Sequence, residues 1–327
     1  MEKLTTKLLL SLKGMAMGIA EVIPGVSGGT IALITGIYEE LINTIKSILG
    51  PDWIRAWRRG GLAAAWREAN GLFVLFLLAG MAVGVVFGVF VVSHLLETFP
   101  QLLWAFFFGL IIASAIYVGR QVGRWGTTEI VALVIGTALA YWISVANPAQ
   151  GTESLWYVFL GGTIAISAMI LPGISGSFIL LLMGLYTYII PTIKDALKTF
   201  ALENLIVLGV FGIGCLIGLG TFSRVLSWTF KNYRRPTLAI LTGFMLGSLN
   251  KIWPWRNVLS YRTNSRGEQV PFIEENVLPV QYDGESMVAG VIICALVGFA
   301  VVFLLERLGG EDAKPSFANP STDKNEA

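Results

Sequence analysis

The sequence predicts an all-α, polytopic membrane protein built from two inverted-topology repeats, each with one re-entrant broken helix hairpin and three transmembrane helices. Three observations lead to this prediction. Of the 327 residues, 55% are hydrophobic and only 13% are charged, whereas a soluble domain carries about 25% charged residues. Six apolar runs are long enough to cross a membrane, and two more are interrupted by proline and glycine in closely similar ways.

The composition excludes several other classes of protein. The net charge is +2, far below what a nucleic-acid-binding surface needs. One histidine, His94, and two widely separated cysteines, Cys215 and Cys294, lack the spacing of a metal site. We therefore expect no nucleic-acid partner, no metal ion and no cofactor.

The six uninterrupted apolar runs are predicted to be transmembrane helices. A helix needs about 20 residues to cross the hydrocarbon core, and these runs approach or reach that length. In chain order they cover residues 72–92, 102–119, 129–146, 205–222, 237–253 and 287–305. Glycines spaced four apart within several of them predict faces where helices pack closely.

Two further apolar stretches, 8–48 and 156–191, are predicted to be re-entrant hairpins. In the first of them, the apolar run Thr30–Tyr38 alone separates the glycine-rich break from Glu39 and Glu40. A helix of that length rises about 14 Å, whereas the hydrocarbon core is about 30 Å thick. Because this arm is too short to cross alone, we expect the chain to leave the membrane on the side from which it entered.

The two breaks share a motif, which indicates an internal duplication. Residues 24–29 read Pro-Gly-Val-Ser-Gly-Gly, and residues 172–177 read Pro-Gly-Ile-Ser-Gly-Ser. When 24–38 is aligned with 172–186, 8 of 15 positions are identical. We predict a first repeat over 1–150, a second repeat over 151–308, and a disordered cytoplasmic tail over 309–327.

The positions of lysine and arginine set the predicted topology, since cytoplasmic loops carry an excess of both. With a cytoplasmic N-terminus and two re-entrant hairpins, 17 of the 23 basic residues lie inside and 6, including Lys251 and Arg256, lie outside. Each repeat then crosses three times, so the second is inverted relative to the first, as in many secondary transporters. We expect both termini to be cytoplasmic.

Each Pro-Gly-x-Ser-Gly break is a candidate anion site near the middle of the membrane. The helix that follows the break would direct free N–H groups toward it, and nearby hydroxyls could add hydrogen bonds. The predicted helix-breaking residues, chosen because proline lacks an N–H and glycine permits tight turns, are Pro24, Gly25, Pro172 and Gly173. The candidate anion-binding residues are Ser27, Gly28, Gly29, Thr30, Ser175, Gly176 and Ser177. The spacing leaves phosphate, carboxylate and other anions open.

Three ionisable residues of interest lie outside the two motifs. Glu21 lies three residues before Pro24 in an apolar arm, and its counterpart in the second repeat is Met169. A carboxylate at that depth is a candidate for carrying a coupling proton or facing a cation; the alternative is a solvated carboxylate at a cavity mouth. Arg224 could neutralise a phosphate or extend to the membrane interface, and His94, at the matching position, is expected at the interface.

The stretch 18–30, which holds Glu21 and the first motif, and the second motif at 171–177 resemble the PopT-type undecaprenyl phosphate transporters. The resemblance covers nearly the whole chain. It implies a flippase of the bacterial cytoplasmic membrane that returns undecaprenyl phosphate from the outer to the inner leaflet, where peptidoglycan synthesis reuses it. It also makes Glu21 and the serines, glycines and threonine of both motifs the residues expected to serve transport.

The expected partners are polyprenyl phosphate and the membrane lipids, with a proton or a sodium ion as the candidate coupling ion. Two other functions stay open from the residues alone. One is secondary transport of another small anion. The other is an intramembrane lipid phosphatase, for which Arg234-Arg235-Pro236 is a weak signal, although His94 is the only histidine. The preferred interpretation is a transporter without enzymatic activity.

Overall fold

The computed structural model describes residues 2–23, 26–146, 151–263 and 269–309, and it is almost entirely helical. The helices are α1 (Glu2–Val22), α2 (Gly28–Ile34), α3 (Tyr38–Ile48), α4 (Pro51–Glu68), α5 (Gly71–Thr98), α6 (Pro100–Gln121), α7 (Thr127–Val145), α8 (Leu155–Ile170), α9 (Gly176–Leu182), α10 (Tyr186–Thr199), α11 (Leu202–Asn232), α12 (Arg234–Ser248) and α13 (Val288–Gly309). Two strands, β1 (Arg256–Thr263) and β2 (Gln269–Asn276), form an antiparallel hairpin between α12 and α13. The predicted tail lies, from residue 310 onward, outside the described residues.

Several of these helices have the length and composition of membrane spans. Within the described residues, four helices are long and apolar enough to cross: Gly71–Leu96, Pro100–Gln121, Thr127–Val145 and Leu202–Asn232. A fifth candidate is the pair formed by α9 and α10, which bends by 112°. The apolar part of α13 that the structure describes, Val288–Leu304, is shorter than these four helices.

The predicted helix over 237–253 is wrong at its C-terminal end. Helix α12 covers the 15 residues Arg234–Ser248, and the chain continues as a 3-10 turn over Leu249–Ile252. Pro254 disfavours helical geometry at Trp253, because its ring clashes with the preceding residue. The apolar run is therefore longer than the helix that it contains.

Each stretch predicted as a re-entrant hairpin contains three helices instead of two arms. The second and third helices are joined by a tight turn at Gly36 in the first stretch and at Gly184 in the second, with φ of 77° and 69°. In each turn the residue after the glycine donates its N–H to the carbonyl five residues earlier, at 3.0 Å for Ile37 and 2.9 Å for Leu185. Both turns thus end their helix with the same left-handed glycine cap.

Helices α1 and α5 pack closely through glycines. A Cβ added at Gly14 would lie 2.3 Å from the Leu77 carbonyl oxygen, and one at Gly18 would lie 2.2 Å from that of Met81. Such contacts leave no room for a side chain and let the two backbones approach. Because the contacts advance together along both helices, α1 and α5 run parallel. The segment between them therefore returns to the end of the bundle where α1 begins.

Helices α8 and α11 pack in the same way. A Cβ added at Gly214 would lie 2.3 Å from the Phe159 carbonyl oxygen, and one at Gly218 would lie 2.4 Å from that of Thr163. These helices also run parallel. In each half of the chain, the helix before the break is thus paired with the long helix that follows the broken stretch.

The remaining long helices pair across the two halves of the chain. Helix α7 packs against α12, where a Cβ at Gly243 would lie 2.3 Å from the Leu133 carbonyl oxygen. Helix α6 packs against α13, where a Cβ at Gly109 would lie 1.9 Å from the Ala295 carbonyl oxygen. Both contacts join residues of 1–150 to residues of 151–308.

The bundle has two ends, which we call the N-terminal face and the hairpin face. On the N-terminal face, Glu39 of α3 forms an ion pair with Arg234 at the start of α12. On the hairpin face, at the other end of α12, Asn250 Nδ2 donates to Ser144 Oγ at 3.1 Å, close to the end of α7. The strands β1 and β2 extend the chain at this second end.

The β-hairpin is a departure from the all-α prediction. The strands lie between the apolar runs predicted over 237–253 and 287–305, in a segment for which the sequence predicts no helix. The strands pair in register from Arg256 opposite Asn276 to Thr263 opposite Gln269, with irregularities around Ser260. Cross-strand pairing of this kind stabilises a short ribbon without a long apolar run.

Candidate functional site

Both motifs break a helix and restart it with a serine at the cap position. In the first half α1 ends at Val22 and α2 begins at Gly28, and Ser27 Oγ accepts a hydrogen bond from the Gly29 N–H at 3.1 Å. In the second half α8 ends at Ile170 and α9 begins at Gly176, with Ser175 at the cap. The two caps have the same extended backbone. The predicted helix-breaking residues Pro24 and Gly25 lie outside the described residues.

The second break contains its predicted breaking residues, Pro172 and Gly173. Both are buried, and Gly173 has a φ of +82°, which L-residues other than glycine rarely adopt. A Cβ added there would also lie 2.8 Å from Ser248 Oγ and 3.0 Å from the Phe244 carbonyl oxygen. Glycine is therefore required at this position both for its conformation and for the close approach of α12.

The two breaks contact each other directly. The Gly173 N–H donates a hydrogen bond to Thr30 Oγ1 at 3.1 Å. Ser27 Oγ donates to the Met169 carbonyl oxygen at 3.2 Å, and the Tyr38 hydroxyl donates to that of Ile170 at 3.0 Å. The last carbonyls of a helix have no partner within it. Hydroxyls from the first half therefore satisfy the end of α8 in the second half.

The predicted residue Gly29 sits where the first break approaches the end of α8. A Cβ added there would lie 2.5 Å from the Ile170 carbonyl oxygen. Its neighbour Gly28 is in contact with Glu21, because the Gly28 N–H donates to Glu21 Oε1 at 2.8 Å. The carboxylate of Glu21 thus bridges the first break and caps α2. Met169, the counterpart of Glu21, cannot accept a hydrogen bond of this strength.

The serines of the two motifs differ in accessibility. Ser27 is 1% exposed and Thr30 is 0% exposed, and their hydroxyls are engaged within the protein. Ser175 is half-buried, Ser177 is exposed, and their hydroxyl oxygens lie 2.9 Å apart. The second break therefore presents a hydroxyl pair at its surface, whereas the first presents none from these two residues.

A lysine outside the predicted site residues lies beside the second motif. Lys251 Nζ is 4.7 Å from the centre of the Phe178 ring, and Phe178 directly follows Ser177. Lys251 also lies within electrostatic range of Arg256 and Glu274. The sequence did contain a signal, since Lys251 is the one charged residue in the apolar run 237–253.

Neither Arg224 nor His94 takes part in the hydrogen bonds that join the two breaks. The Arg224 guanidinium donates to two carbonyl oxygens, that of Gly220 at 3.0 Å and that of Leu49 at 2.7 Å. Leu49 is the C-cap of α3, so Arg224 joins α11 to the end of the first broken stretch. His94 is exposed near the end of α5.

A cavity of about 350 Å³ opens on the N-terminal face. It lies between the first half of α1, the turn at Gly36 and the start of α5, and its lining includes Lys7, Lys13 and Glu40. The predicted anion-binding residues are absent from this lining. The cavity and the contact between the breaks are thus separate features of the described part of the chain.

Comparisons with known proteins agree on one family. A family model described as VCA0040-like, undecaprenyl phosphate translocase-like, matches residues 17–270. A polyprenyl-phosphate transporter of Vibrio cholerae serotype O1 is 46% identical over 272 residues, which cover 83% of this chain and 86% of that protein. A polyprenyl-phosphate transporter of Staphylococcus aureus is 32% identical over 256 residues, which cover 74% of this chain and 85% of that protein. No solved structure shows a significant match.

Proposed function

The chain belongs to the undecaprenyl phosphate translocase-like family, and from this premise we propose that it returns undecaprenyl phosphate from the outer to the inner leaflet of the bacterial cytoplasmic membrane. There, peptidoglycan synthesis would reuse the lipid carrier. The relatives that support the substrate are named polyprenyl-phosphate transporters. Their names also favour a transporter over an enzyme.

The observation that carries the proposal is the contact between the two breaks. A phosphate in hydrocarbon is costly unless it is paired and hydrogen-bonded. Irregular backbone at membrane depth is tolerated where it is buried in protein or lines a water-filled cavity. The hydrogen bond from Gly173 to Thr30 brings both irregular segments together. We propose that they form the polar path that the phosphate follows.

Within this path the second motif is proposed to meet the headgroup first. Ser175 and Ser177 present hydroxyls at the surface, and Gly176 begins the helix that follows them. Ser27, Gly28, Gly29 and Thr30 are proposed to act once the contact between the breaks opens, because they are closed off in this arrangement. Arg224, on the N-terminal face, is proposed to meet the phosphate at the cytoplasmic mouth.

The prenyl tail is proposed to stay in lipid while only the headgroup crosses. A long prenyl chain gains from hydrocarbon about 0.8 kcal/mol for each buried CH₂ group, so removing it from the bilayer would be prohibitive. The protein then needs a polar path for the phosphate and a lateral gap for the tail. The two halves of the chain meet at their broken helices, so we propose that the polar path and the lateral gap both lie along this junction.

The proposed arrangement is six crossings in two inverted repeats, 1–150 and 151–308, with both termini cytoplasmic. The parallel pairing of α1 with α5 supports it, because the stretch between their starting points returns to the end where it began, as a re-entrant hairpin does. The parallel pairing of α8 with α11 supports the same plan for the second half. The N-terminal face would then be the cytoplasmic face.

We further propose that transport is coupled to a proton or a sodium ion through Glu21. The carboxylate lies at the first break, where its hydrogen bond to the Gly28 N–H makes it part of the path. A carboxylate inside a membrane segment is a functional candidate by default. Protonation or ion binding would weaken the hydrogen bond between the Glu21 carboxylate and the Gly28 N–H at the start of α2. Binding of the ion would in this way be linked to movement of the first break.

A reconstitution experiment tests the function. The purified full chain is placed in liposomes with a fluorescent polyprenyl phosphate, and a membrane-impermeant reagent quenches the outer leaflet. We expect the quenched fraction to approach completion much faster than in protein-free liposomes, with the phosphate still attached to the recovered lipid. Quenching no faster than in protein-free liposomes would contradict translocation. Release of inorganic phosphate would instead indicate the lipid phosphatase.

A further inference from the structure

Three charged side chains form a cluster on the hairpin face, which we call the outer charge cluster: Lys251, Arg256 and Glu274. Arg256 Nη1 lies 2.8 Å from Glu274 Oε2. The Arg256 guanidinium also stacks over Trp104, with its carbon 4.4 Å from the ring centre. Lys251 faces the Phe178 ring and interacts electrostatically with both other members. The cluster thus connects β1, β2 and α6 to the second break.

The outer charge cluster has an excess of positive charge in a poorly hydrated place. Two cations and one carboxylate leave a net charge of +1. The Arg256 side chain is only 8% exposed, and burial lowers the pKa of its guanidinium while the Glu274 carboxylate opposes that effect. Arginine nevertheless stays protonated at neutral pH. A buried cation is stable only when it is paired and hydrogen-bonded, and here one carboxylate serves two cations.

The hydrogen bonding of Arg256 is incomplete as well. Its Nε is buried and has no hydrogen-bond partner among the residues that the structure describes. Most buried polar groups have at least one partner, so each exception needs an explanation. An excess cation and a spare buried donor in the same cluster both indicate a site built for an acceptor with negative charge.

The position of the cluster links it to the second motif. Phe178 lies between Lys251 and the polypeptide that carries Ser177, because it follows that serine in the first turn of α9. Ser177 and its partner Ser175 are the motif hydroxyls that reach the surface. The cluster therefore contacts the residue that directly follows the hydroxyl pair.

We propose that Lys251 and Arg256 form a binding site for a phosphate monoester headgroup on the hairpin face, where the lipid is captured before it reaches the breaks. The proposal rests on the proposed function and names the residues that would begin it. Lys251 supplies a mobile point charge and Arg256 a rigid donor held by Trp104 and Glu274. A phosphate monoester carries a charge of about −1.5 to −2 at pH 7. It therefore suits this site better than a singly charged phosphodiester lipid.

The test measures binding rather than transport. The purified full chain in nanodiscs binds a radiolabelled short-chain prenyl monophosphate, and inorganic phosphate and phosphatidylglycerol are tested as competitors. We expect Lys251→Gln to raise the apparent Kd by about tenfold or more, because a charge-assisted hydrogen bond is lost. Lys251→Arg should stay within about threefold of the parent, since it keeps a charged donor for the phosphate. Lys198→Gln, an exposed lysine on α10, is the matched control and should leave the Kd unchanged.

Two results would overturn the site. One is a Lys251→Gln protein that binds the prenyl monophosphate with the parental Kd. The other is phosphatidylglycerol competing as well as unlabelled prenyl monophosphate, since that marks a general anionic-lipid surface. Inorganic phosphate is expected to compete weakly, because it lacks the prenyl chain. Lys251-dependent binding without any leaflet exchange by the parent would leave this site in place and contradict the proposed function instead.

Discussion

The backbone N–H of Gly173 donates a hydrogen bond to Thr30 Oγ1 at 3.1 Å, and this bond joins the helix breaks of the two halves of the chain. Both residues are buried. Thr30 also corresponds to Phe178 in the repeat alignment, so the second half has no hydroxyl at the equivalent position. The two breaks are thus alike in backbone but not in the groups that they present.

Replacement of Thr30 by valine tests this bond. Valine has nearly the same shape but leaves the Gly173 N–H unsatisfied, which costs about 1–3 kcal/mol in a buried place. We expect Thr30→Val to lower the free energy of unfolding by that amount, measured by equilibrium unfolding in mixed micelles. Thr242→Val is the matched control, because Thr242 is buried and its hydroxyl donates to Leu238 within α12. If the free energy of unfolding falls equally in the two variants, the hydrogen bond between the breaks contributes no more to stability than a hydroxyl bond within one helix.

The glycine turns at Gly36 and Gly184 provide a test of the duplication. Both residues have positive φ, and an L-residue in that region costs about 1–2 kcal/mol. We expect Gly36→Ala and Gly184→Ala each to lower the free energy of unfolding by about that much. Gly209→Ala is the control: a Cβ there meets nothing within 4 Å, so we expect a gain of about 0.5–1 kcal/mol. Stability unchanged in either turn variant would mean that the turn is not held in this conformation.

Glu21→Gln separates the carboxylate charge from the hydrogen bond. Glutamine keeps an amide oxygen that can accept from the Gly28 N–H, although this bond is weaker than the one to a carboxylate. We therefore expect insertion into the membrane to change little. We expect the dependence of polyprenyl phosphate transport on an imposed pH or sodium gradient to be lost, because the amide carries neither a proton nor an ion. The measurement is the initial rate of leaflet exchange with and without each gradient. A variant with the parental rate and gradient dependence would exclude Glu21 from coupling.

Single-cysteine labelling tests the proposed topology. In a background with Cys215 and Cys294 replaced by alanine, one cysteine is placed at Arg59 of α4 and another at Val280 after β2, both exposed positions. We expect an impermeant thiol reagent to label position 280, and not position 59, in intact cells. After permeabilisation both should react. Labelling of position 59 from outside would contradict a re-entrant first stretch and the cytoplasmic N-terminal face.

The two helix breaks could be predicted from sequence because glycine, proline and serine act through local backbone chemistry. The pairs Gly36 with Gly184 and Ser27 with Ser175 have matching conformations for that reason. Contacts between distant segments could not be read in the same way. That Ser27 and Thr30 are closed off while Ser177 is exposed depends on how α8 packs against the first break.

The outer charge cluster could not be predicted from local sequence patterns either. The count of basic residues on each side assigned Lys251 and Arg256 only to the outer side of the membrane. Their proximity to each other and to Glu274 follows from the β-hairpin, which folds a polar connection back over the end of α12. A short polar ribbon has weak periodicity, so its strands were not predicted.

Photocrosslinking tests most directly whether the joined breaks form the path of the phosphate. The probe is a polyprenyl phosphate with a photoreactive group on the prenyl unit next to the phosphate, added to the reconstituted full chain. We predict crosslinks in the peptides that contain 27–30 and 175–177, reduced by excess unlabelled polyprenyl phosphate. Crosslinks confined to outward-facing residues such as Phe90 of α5, which is 74% exposed, and unaffected by competitor would contradict the account.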